Sequence, residues 1–373
     1  MKKLTPRFRK WLIHRGRGAR IARAAVSEHR SPAAWARRRS EFDKVRQLLP
    51  AAKFSYGGYD GHAAFAPPAD FSFVTNYEET LAFILDFRKY FFNRQKVKSP
   101  DGIMRWFLAD FAQIRQLDAG AGLVLAAEID RYTKSRRTPP TVLDETWYED
   151  TQRFFADAGL FELLKIDPRG IVTKAPEHPR RKTLPLRAGM VKNGVIAREI
   201  RDQIEELSGR KFSQRPMAYT AIAEALANIG HAYPSWFRSW PWKPSRRWWS
   251  LGFWDPDKNT VGLQLYDQGA GIPATLPRQD YWPRLLRSLE PERKASGLIR
   301  AGLEFGRTST NVPGRGKGMA EMADWIEYSG SGFLRILSGG GEVTYRPGGS
   351  VIRRDFDAPF CGTLIEWEIA LDA

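Results

Sequence analysis

The stretch TAIAEALANIGHAY, residues 220–233, decides how the rest of the chain is interpreted. Three aliphatic residues recur in it at helical spacing and predict a helix with one buried face: Ile222, Leu226 and Ile229. Glu224 and Asn228 lie four residues apart and share the other face of that helix. A carboxylate can accept a proton from water, and a carboxamide oxygen suits Mg²⁺. This face is therefore a candidate catalytic site, although a solvated glutamate and a capping asparagine would show the same spacing.

Two glycine-rich stretches further along the chain strengthen that interpretation. Residues 263–273, LQLYDQGAGIP, predict an apolar strand that ends at Asp267 and is followed by Gly269 and Gly271. Residues 312–322, VPGRGKGMAEM, predict a glycine-rich loop that opens a helix. Backbone amides and cations at a helix start bind phosphate. The candidates for that role are Gly314, Arg315, Gly316, Lys317 and Gly318.

The three motifs Glu-x-x-x-Asn, Asp-x-Gly-x-Gly and Gly-x-Gly-x-Gly occur here in an order that resembles the GHKL ATPase family of gyrase B subunits, histidine kinases and MutL. Residues 361–369, CGTLIEWEI, look like the closing Gly-Thr strand of that family. The resemblance covers residues 186–373, about half of the chain. It implies a C-terminal two-layer α/β sandwich of the Bergerat (GHKL) type that binds ATP and Mg²⁺.

The same resemblance implies how adenine would be recognised. Asp267 would accept a hydrogen bond from the exocyclic amine of the base. Its own partner would be Thr363, directly or through a bound water. Gly269 and Gly271 would let the backbone approach the base and the sugar, because glycine has no Cβ atom.

At the phosphate end, the resemblance makes Asn228 the metal ligand and Glu224 the base that activates water. His231 either contacts phosphate or caps the carbonyl groups at the helix end. Residues 272–313 correspond to the mobile lid that the family closes over bound nucleotide. The candidate lid contacts are Thr308, Ser309 and Thr310.

An earlier segment, residues 107–132, has the order strand, Asp-Ala-Gly-Ala-Gly, helix, which looks like a STAS domain, the anti-sigma-antagonist fold. This resemblance implies an α/β domain before the ATPase-like half. STAS proteins of the switch type carry a phosphorylatable serine just after the aspartate. Ala119 stands at that position and has no hydroxyl group, so we predict that this turn is not phosphorylated. An ordinary α/β turn with small residues for close packing is the alternative.

Charge and composition divide the chain further. Its 59 Lys and Arg residues exceed its 42 Asp and Glu residues by 17, and residues 1–40 hold thirteen of the basic residues with one acidic residue, Glu28. Pro, Gly and Ala mark two candidate linkers. The predicted parts are a basic N-terminal arm at 1–50, a linker at 51–70, a STAS-like α/β domain at 71–166, a linker at 167–190 and a GHKL-type ATP-binding domain at 191–373.

Two segments suggest further partners. Residues 1–40 are basic enough to bind a polyanion, and we predict nucleic acid, with an anionic lipid surface as the alternative. Residues 235–254 contain six of the thirteen Trp residues among Arg and Lys. Core packing, a protein interface and stacking on nucleic-acid bases all fit that composition.

These features together predict a cytoplasmic, Mg²⁺-dependent ATPase or nucleotide switch that regulates a protein partner through its STAS-like domain and basic arm, with a homodimer left open. Cys361 is the only cysteine, which excludes an internal disulfide and a zinc cluster. No run approaches the roughly 20 apolar residues of a membrane span. The alternatives are an anti-sigma-type serine/threonine kinase that uses the same site, and a non-catalytic adaptor that binds nucleic acid or protein.

Overall fold

The fold comes from a computed structural model, which describes residues 54–55, 62–92, 96–98, 104–143, 147–166, 181–190, 194–234, 245–289, 292–308 and 318–371. Several predicted features lie outside these residues. They are the basic arm at 1–50, residues 167–180 of the second linker, residues 235–244 of the Trp-rich segment, the lid candidates Ser309 and Thr310, and the loop residues Gly314, Arg315, Gly316 and Lys317.

The N-terminal half contains a mixed sheet built by helical crossovers. The described strands of this sheet are β1 (Phe54–Ser55), β2 (His62–Phe65), β4 (Lys96–Lys98), β5 (Met104–Asp110) and β7 (Val142–Leu143). A separate parallel pair is formed by β3 (Asp70–Phe71) and β6 (Gln116–Leu117). Strand β5 is parallel to β2 and to β7, and it is antiparallel to β4. Because parallel neighbours cannot be joined by a tight turn, a helix must follow β2 and another must follow β5.

Those crossover helices are α1 (Tyr77–Phe87), which continues as a π-helical turn, and α2 (Ala119–Arg136). Two shorter helices follow, α3 (Glu149–Asp157) and α4 (Leu160–Leu164). The start of α2 is fixed by Asp118, whose Oδ1 accepts a hydrogen bond from the Ala121 N–H at 2.6 Å. The other carboxylate oxygen accepts the Phe73 N–H at 2.7 Å. The Asp-Ala-Gly-Ala-Gly turn therefore caps a helix and ties it to the segment before α1.

The C-terminal half is built on a second sheet, in which every described pairing is antiparallel. Its strands are β8 (Lys182–Thr183), β9 (Arg187–Gly189), β10 (Trp248–Asp255), β11 (Thr260–Asp267), β12 (Phe333–Arg346) and β13 (Ser350–Ala370). Their order in the described part of the sheet is β12-β13-β11-β10-β8, with β9 also paired to β10. The α/β class predicted from the sequence is confirmed.

One face of this sheet is covered by helices from the same half. The described helices are α5 (Gly194–Ser208), α6 (Arg215–His231), α7 (Ile272–Thr275), α8 (Trp282–Leu289), α9 (Ala295–Thr308) and α10 (Gly318–Ser329). A shared core joins α5, α6, α9 and α10 to the sheet through buried aliphatic and aromatic side chains. The helix predicted around Glu224 and Asn228 is therefore confirmed as α6, and the described part of the predicted lid is largely helical.

The other face of the same sheet packs against the N-terminal half. One continuous core joins residues of α1 and α2 to Trp249, Tyr266 and Leu364 of the sheet. A Cβ atom at Gly120 would lie 2.5 Å from the Glu366 carboxylate, so the small residue lets α2 approach β13 closely. The sheet thus has helices on both faces, one layer more than the predicted two-layer sandwich.

Both segments predicted as linkers contain strands. Strands β1 and β2 lie within 51–70, and β8 and β9 lie within 167–190. Strand β9 pairs with Trp248–Ser250, and the N–H of Leu184 donates to the Gly252 carbonyl at 2.7 Å. These short strands escaped prediction because glycines interrupt the sequence around β1 and β2, and Pro185 and charged residues interrupt that around β8 and β9.

A buried ionic cluster joins the two halves at the centre of their interface. Glu128 on α2 accepts hydrogen bonds from Arg88 Nε at 2.9 Å and Arg88 Nη2 at 2.6 Å, and from Arg131 Nη2 at 2.8 Å. Arg88 also donates to the Tyr266 hydroxyl of β11 at 2.9 Å. Burial alone would raise the pKa of Glu128, but Arg131 and Arg88 outweigh it and lower the pKa. The carboxylate is therefore ionised at the interface.

Replacing Glu128 with alanine would leave two buried arginines without their carboxylate. We expect Glu128→Ala to lower the free energy of unfolding by about 3–5 kcal/mol, the cost of removing one partner from a buried ion pair. Urea denaturation measures this loss. The control Glu199→Ala removes an exposed ion pair with Arg187, N–O distance 2.7 Å, and should cost less than about 1 kcal/mol. Equal losses in the two variants would contradict this account of the interface.

Candidate functional site

A cavity of about 240 Å³ lies between α6, the start of α7, the start of α10, the end of β11 and an interior part of β13. Residues predicted from four separate stretches of the sequence line it. They are Glu224, Asn228, Asp267, Gly271, Gly318 and Thr363. His231, the last residue of α6, also lies at the cavity and is exposed. The fold thus brings together motifs that are far apart in the chain.

Helix α6 places its two polar candidates at the cavity wall. Pro216 stands in its first turn, where the missing N–H costs no helical hydrogen bond. The aliphatic face of the helix is buried in the core, as its spacing predicts. Glu224 and Asn228 are half-buried on the cavity side. Neither side chain has a hydrogen-bond partner among the described residues, so both can interact with a ligand.

Asp267 lies at the end of β11 and is only 4 % exposed. Its Oδ1 accepts a hydrogen bond from the Gly269 N–H at 2.6 Å. On the adjacent strand β13, Thr363 is its direct register partner. A buried carboxylate at a cavity wall can accept hydrogen bonds from the donor groups of a ligand in that cavity.

The hydroxyl of Thr363 bonds to a residue that the sequence did not indicate. Ser338 on β12 is its register partner, and the two Oγ atoms lie 2.9 Å apart. Ser338 Oγ also accepts the Ile272 N–H at 2.9 Å and donates to the Gly362 carbonyl at 3.1 Å. Among the described residues, the Thr363 hydroxyl makes no direct hydrogen bond to Asp267, which the sequence had predicted as one possibility. The hydroxyl of Thr363 thus bonds to Ser338, and the Asp267 carboxylate accepts the Gly269 N–H.

Glycine is required at positions 269 and 271 for two different structural reasons. A Cβ atom at Gly269 would overlap the backbone of Ala232 at the end of α6, and the Ala270 N–H donates to the Ala232 carbonyl at 2.7 Å. Gly269 therefore permits close helix packing and does not line the cavity, contrary to the predicted approach to base and sugar. Gly271 does line it, with a φ of 83° that favours glycine.

The end of the glycine-rich loop reaches Glu224. Gly318 is the first residue of α10, and a Cβ atom there would overlap Glu224 Oε2. The amino end of this helix therefore lies beside the carboxylate at the cavity. Free N–H groups at a helix start favour anions, which suits a phosphate-bearing ligand.

Glu224 has an environment that makes it a stronger base. Burial raises its pKa above the ordinary value of 4.5, and the charge of Glu321 on α10 raises it further. Burial and Asp267 likewise raise the pKa of Tyr233, which stays a neutral phenol. The two carboxylates of the cavity thus differ, since Asp267 is held by a backbone amide and Glu224 faces a second carboxylate.

Several residues of the cavity were missed from the sequence. The apolar ones include Ile272, Leu276, Met319 and Ile365, and Tyr281 lies among them with its ring stacked on Phe305, centroids 5.4 Å apart. The spacing of Ile272 and Leu276 could have indicated one helical face. Ser338 carried no such signal, because only strand register places it beside Thr363.

The oxygen donors at the cavity suit a metal ion that has few protein ligands and is held mainly by a bound small molecule. Within the described ranges no group of three or more His, Cys, Asp or Glu side chains could hold a metal ion. Asn228 offers one carboxamide oxygen at the wall of the cavity. Mg²⁺ usually takes one or two protein ligands and completes its shell with phosphate and water. These residues therefore fit Mg²⁺ carried in with a phosphate compound.

Comparison with known proteins adds no relative. A scan against protein-family models finds no match to this chain, and a search of curated proteins finds none either. Across the described residues, none of the helices is both long and apolar enough to cross a membrane. The functional interpretation therefore depends on the geometry of the cavity.

A pair of glycine substitutions tests the packing beside the cavity. Gly269→Ala places a methyl group against the Ala232 backbone, which cannot move aside, so we expect a loss of about 1–3 kcal/mol in unfolding free energy. Gly230→Ala is the matched control, because nothing lies within 4 Å of its added Cβ and the residue is inside α6. It should stabilise the protein by about 0.5–1 kcal/mol. Thermal and urea denaturation compare the two, and a Gly269→Ala variant as stable as the wild type would contradict the close contact.

Proposed function

We propose that this protein binds Mg-ATP in the cavity between α6 and β11 and uses it as a slowly hydrolysed nucleotide switch. The main support for this proposal is that predicted site residues from distant parts of the chain meet in one cavity. Residues chosen for adenine, phosphate and metal from four stretches of sequence line one cavity. A chance set of turn glycines and surface carboxylates would have no reason to meet there.

Asp267 is proposed to recognise adenine. An ionised carboxylate only accepts hydrogen bonds, so it selects a base with an amine over one with a carbonyl. The apolar side chains of Ile272, Leu276 and Ile365 line the same cavity and would pack against the rings of the base. Thr363 adds a hydroxyl held by Ser338.

The phosphates are proposed to lie at the amino end of α10. Gly318 begins that helix beside Glu224, and its backbone supports close approach of an anion. Gly314, Arg315, Gly316 and Lys317 precede it in the sequence and would supply further amides and cations. Asn228 would hold Mg²⁺, which when bound neutralises phosphate charge and orients the terminal phosphate.

Glu224 is proposed to activate the attacking water. Its raised pKa makes the ionised form a better proton acceptor near neutral pH. The water oxygen forms a bond to the terminal phosphorus, its proton passes to Glu224, and the bond to the ADP oxygen breaks. The products are ADP and phosphate. A kinase of the anti-sigma type would use the same cavity with a protein hydroxyl in place of water.

The partner of the switch is also part of the proposal. Helix α2 of the STAS-like half packs on the sheet of the same chain, so that half is proposed to act on the nucleotide site within the chain. Residues 1–40 are proposed to bind nucleic acid through counterion release, which makes the affinity depend steeply on salt. The adaptor alternative has less support, since a vestigial pocket would not need both Glu224 and Asn228 at its wall.

Replacing Asp267 with asparagine tests the adenine contact. The new side chain can still accept the Gly269 N–H, but its amide presents donors to the base. We expect ADP and ATP affinity to fall by about tenfold or more, the cost of a mismatched buried polar group. Calorimetry measures this change. The control Asp257→Asn makes the same change in the exposed turn between β10 and β11 and should bind ADP like the wild type. Unchanged ADP affinity in Asp267→Asn would rule out the adenine role.

The two residues of α6 separate binding from hydrolysis. Glu224→Ala should still bind ATP but lose phosphate release, because the water has no base. Asn228→Ala should remove the Mg²⁺ dependence of ATP binding, because its carboxamide oxygen is gone. Calorimetry with and without Mg²⁺ and a phosphate-release assay check both variants. Phosphate release by Glu224→Ala at the wild-type rate would exclude the proposed base.

The pH profile of phosphate release tests the environment of Glu224. The base works as a carboxylate, so the rate should fall as the pH drops through a pKa above the ordinary value of 4.5. Glu321→Gln removes a neighbouring charge that raises this pKa. In the Glu321→Gln variant, the fall in rate at acidic pH should therefore occur at lower pH than in the wild type, while the rate at alkaline pH stays unchanged. An acid limb that does not move would show that Glu321 has no influence on the base.

A further inference from the structure

The residues on either side of Asp267 turn away from the cavity. Neighbouring residues of a strand face opposite sides, and both Tyr266 and Gln268 are buried toward the N-terminal half. The Tyr266 hydroxyl accepts a hydrogen bond from Arg88 at 2.9 Å. Gln268 Nε2 donates to Glu128 Oε1 at 2.6 Å. The proposed adenine acceptor therefore lies between two residues that the N-terminal half holds.

Gln268 is fixed by its other polar groups as well. Its side-chain carbonyl accepts the Ser245 N–H at 3.2 Å, so its amide must point its N–H groups toward Glu128. Its main-chain N–H donates to the Tyr233 hydroxyl at 2.8 Å, and that hydroxyl donates to the Arg247 carbonyl at 3.1 Å. The Glu128 bond is a direct side-chain hydrogen bond between this segment and α2.

That bond is strong because one partner is charged and water is excluded. Glu128 is fully buried, and Arg88 and Arg131 keep it ionised. Hydrogen bonds to a charged group are shorter and roughly twice as strong as neutral ones. If α2 moved away from the sheet, the buried side-chain amide of Gln268 would lose its acceptor. The backbone next to Asp267 would then no longer be held by this hydrogen bond.

We propose that Glu128 and Gln268 are positioning residues that couple nucleotide binding at Asp267 to docking of the N-terminal half. This inference rests on the proposed function, because it needs a nucleotide at Asp267. Coupling between two equilibria is reciprocal. Docking of α2 therefore raises nucleotide affinity, and bound nucleotide in turn stabilises docked α2. The N-terminal half thereby senses occupancy within its own chain, without a phosphorylatable residue at Ala119.

The test uses the full chain with Gln268→Met. Methionine keeps the length of the side chain and removes the amide, while Glu128 keeps both arginines. The change removes the charge-assisted hydrogen bond to Glu128 and also the acceptor of the Ser245 N–H, and we expect ADP affinity to fall about five- to tenfold in calorimetry. In wild type, ADP should slow amide hydrogen exchange in residues 119–136. In Gln268→Met that slowing should be lost.

A matched control separates positioning from general stability. Trp249 on β10 donates from Nε1 to Asp130 Oδ2 of α2 at 3.0 Å across the same interface. Trp249→Phe removes this bond but keeps an aromatic ring next to its register partner Tyr266, whose ring centroid lies 5.9 Å from that of Trp249. It should lower the melting temperature, leave ADP affinity within about twofold of wild type, and keep the ADP effect on exchange.

The outcomes distinguish the two proposals. Failure of the wild-type chain to bind ADP would contradict the proposed function, and the coupling would fall with it. Wild-type binding with unchanged affinity in Gln268→Met would overturn the coupling alone. Equal weakening in Trp249→Phe would also overturn it, because the interface would then act only through stability. If Gln268→Met does not fold, Gln268→Asn replaces it, since the shorter amide cannot reach Glu128 and the same loss is expected.

Discussion

The buried carboxylate of Glu128 is the interaction on which the arrangement of this protein depends. It takes three hydrogen bonds from Arg88 and Arg131 and a fourth from Gln268, all inside the interface between the two halves. A charge so placed is tolerated only with its partners in position, and the contacts to Gln268 and Tyr266 connect the cluster to the second sheet. Small residues at the start of α2 and the apolar face of β10, β11 and β13 complete the fit. Two segments that the sequence presents as separate domains thus share a core.

The cavity lies on the opposite face of that sheet. Strand β11 therefore contributes to both faces, with Asp267 directed to the cavity and its neighbours directed to α2. Under the proposed function, this geometry would let the N-terminal half act directly on the nucleotide site. Such an action would require no mobile linker between the halves, since the contact residues are adjacent in sequence to the proposed binding residue Asp267.

Local pattern was enough to predict the elements that carry the site. Helix α6 follows from the spacing of Ile222, Leu226 and Ile229, and the end of β11 follows from an apolar run before Asp267 and glycines. The sequence could not predict contacts that depend on register between distant strands. Ser338 lies beside Thr363 for that reason, and Gly269 is required by the end of α6. The packing of α2 on the second sheet could not be predicted from local sequence patterns either, because the strands that it contacts lie far from it in the sequence.

The central claim is that the cavity is a Mg-ATP site. A calorimetric titration of the full wild-type chain with a non-hydrolysable ATP analogue, once with Mg²⁺ and once with a chelator, tests it most directly. The account predicts saturable one-to-one binding that is tighter with Mg²⁺, because Asn228 and the phosphates share the ion. Absence of binding under both conditions, in a chain shown to be folded, would contradict the account.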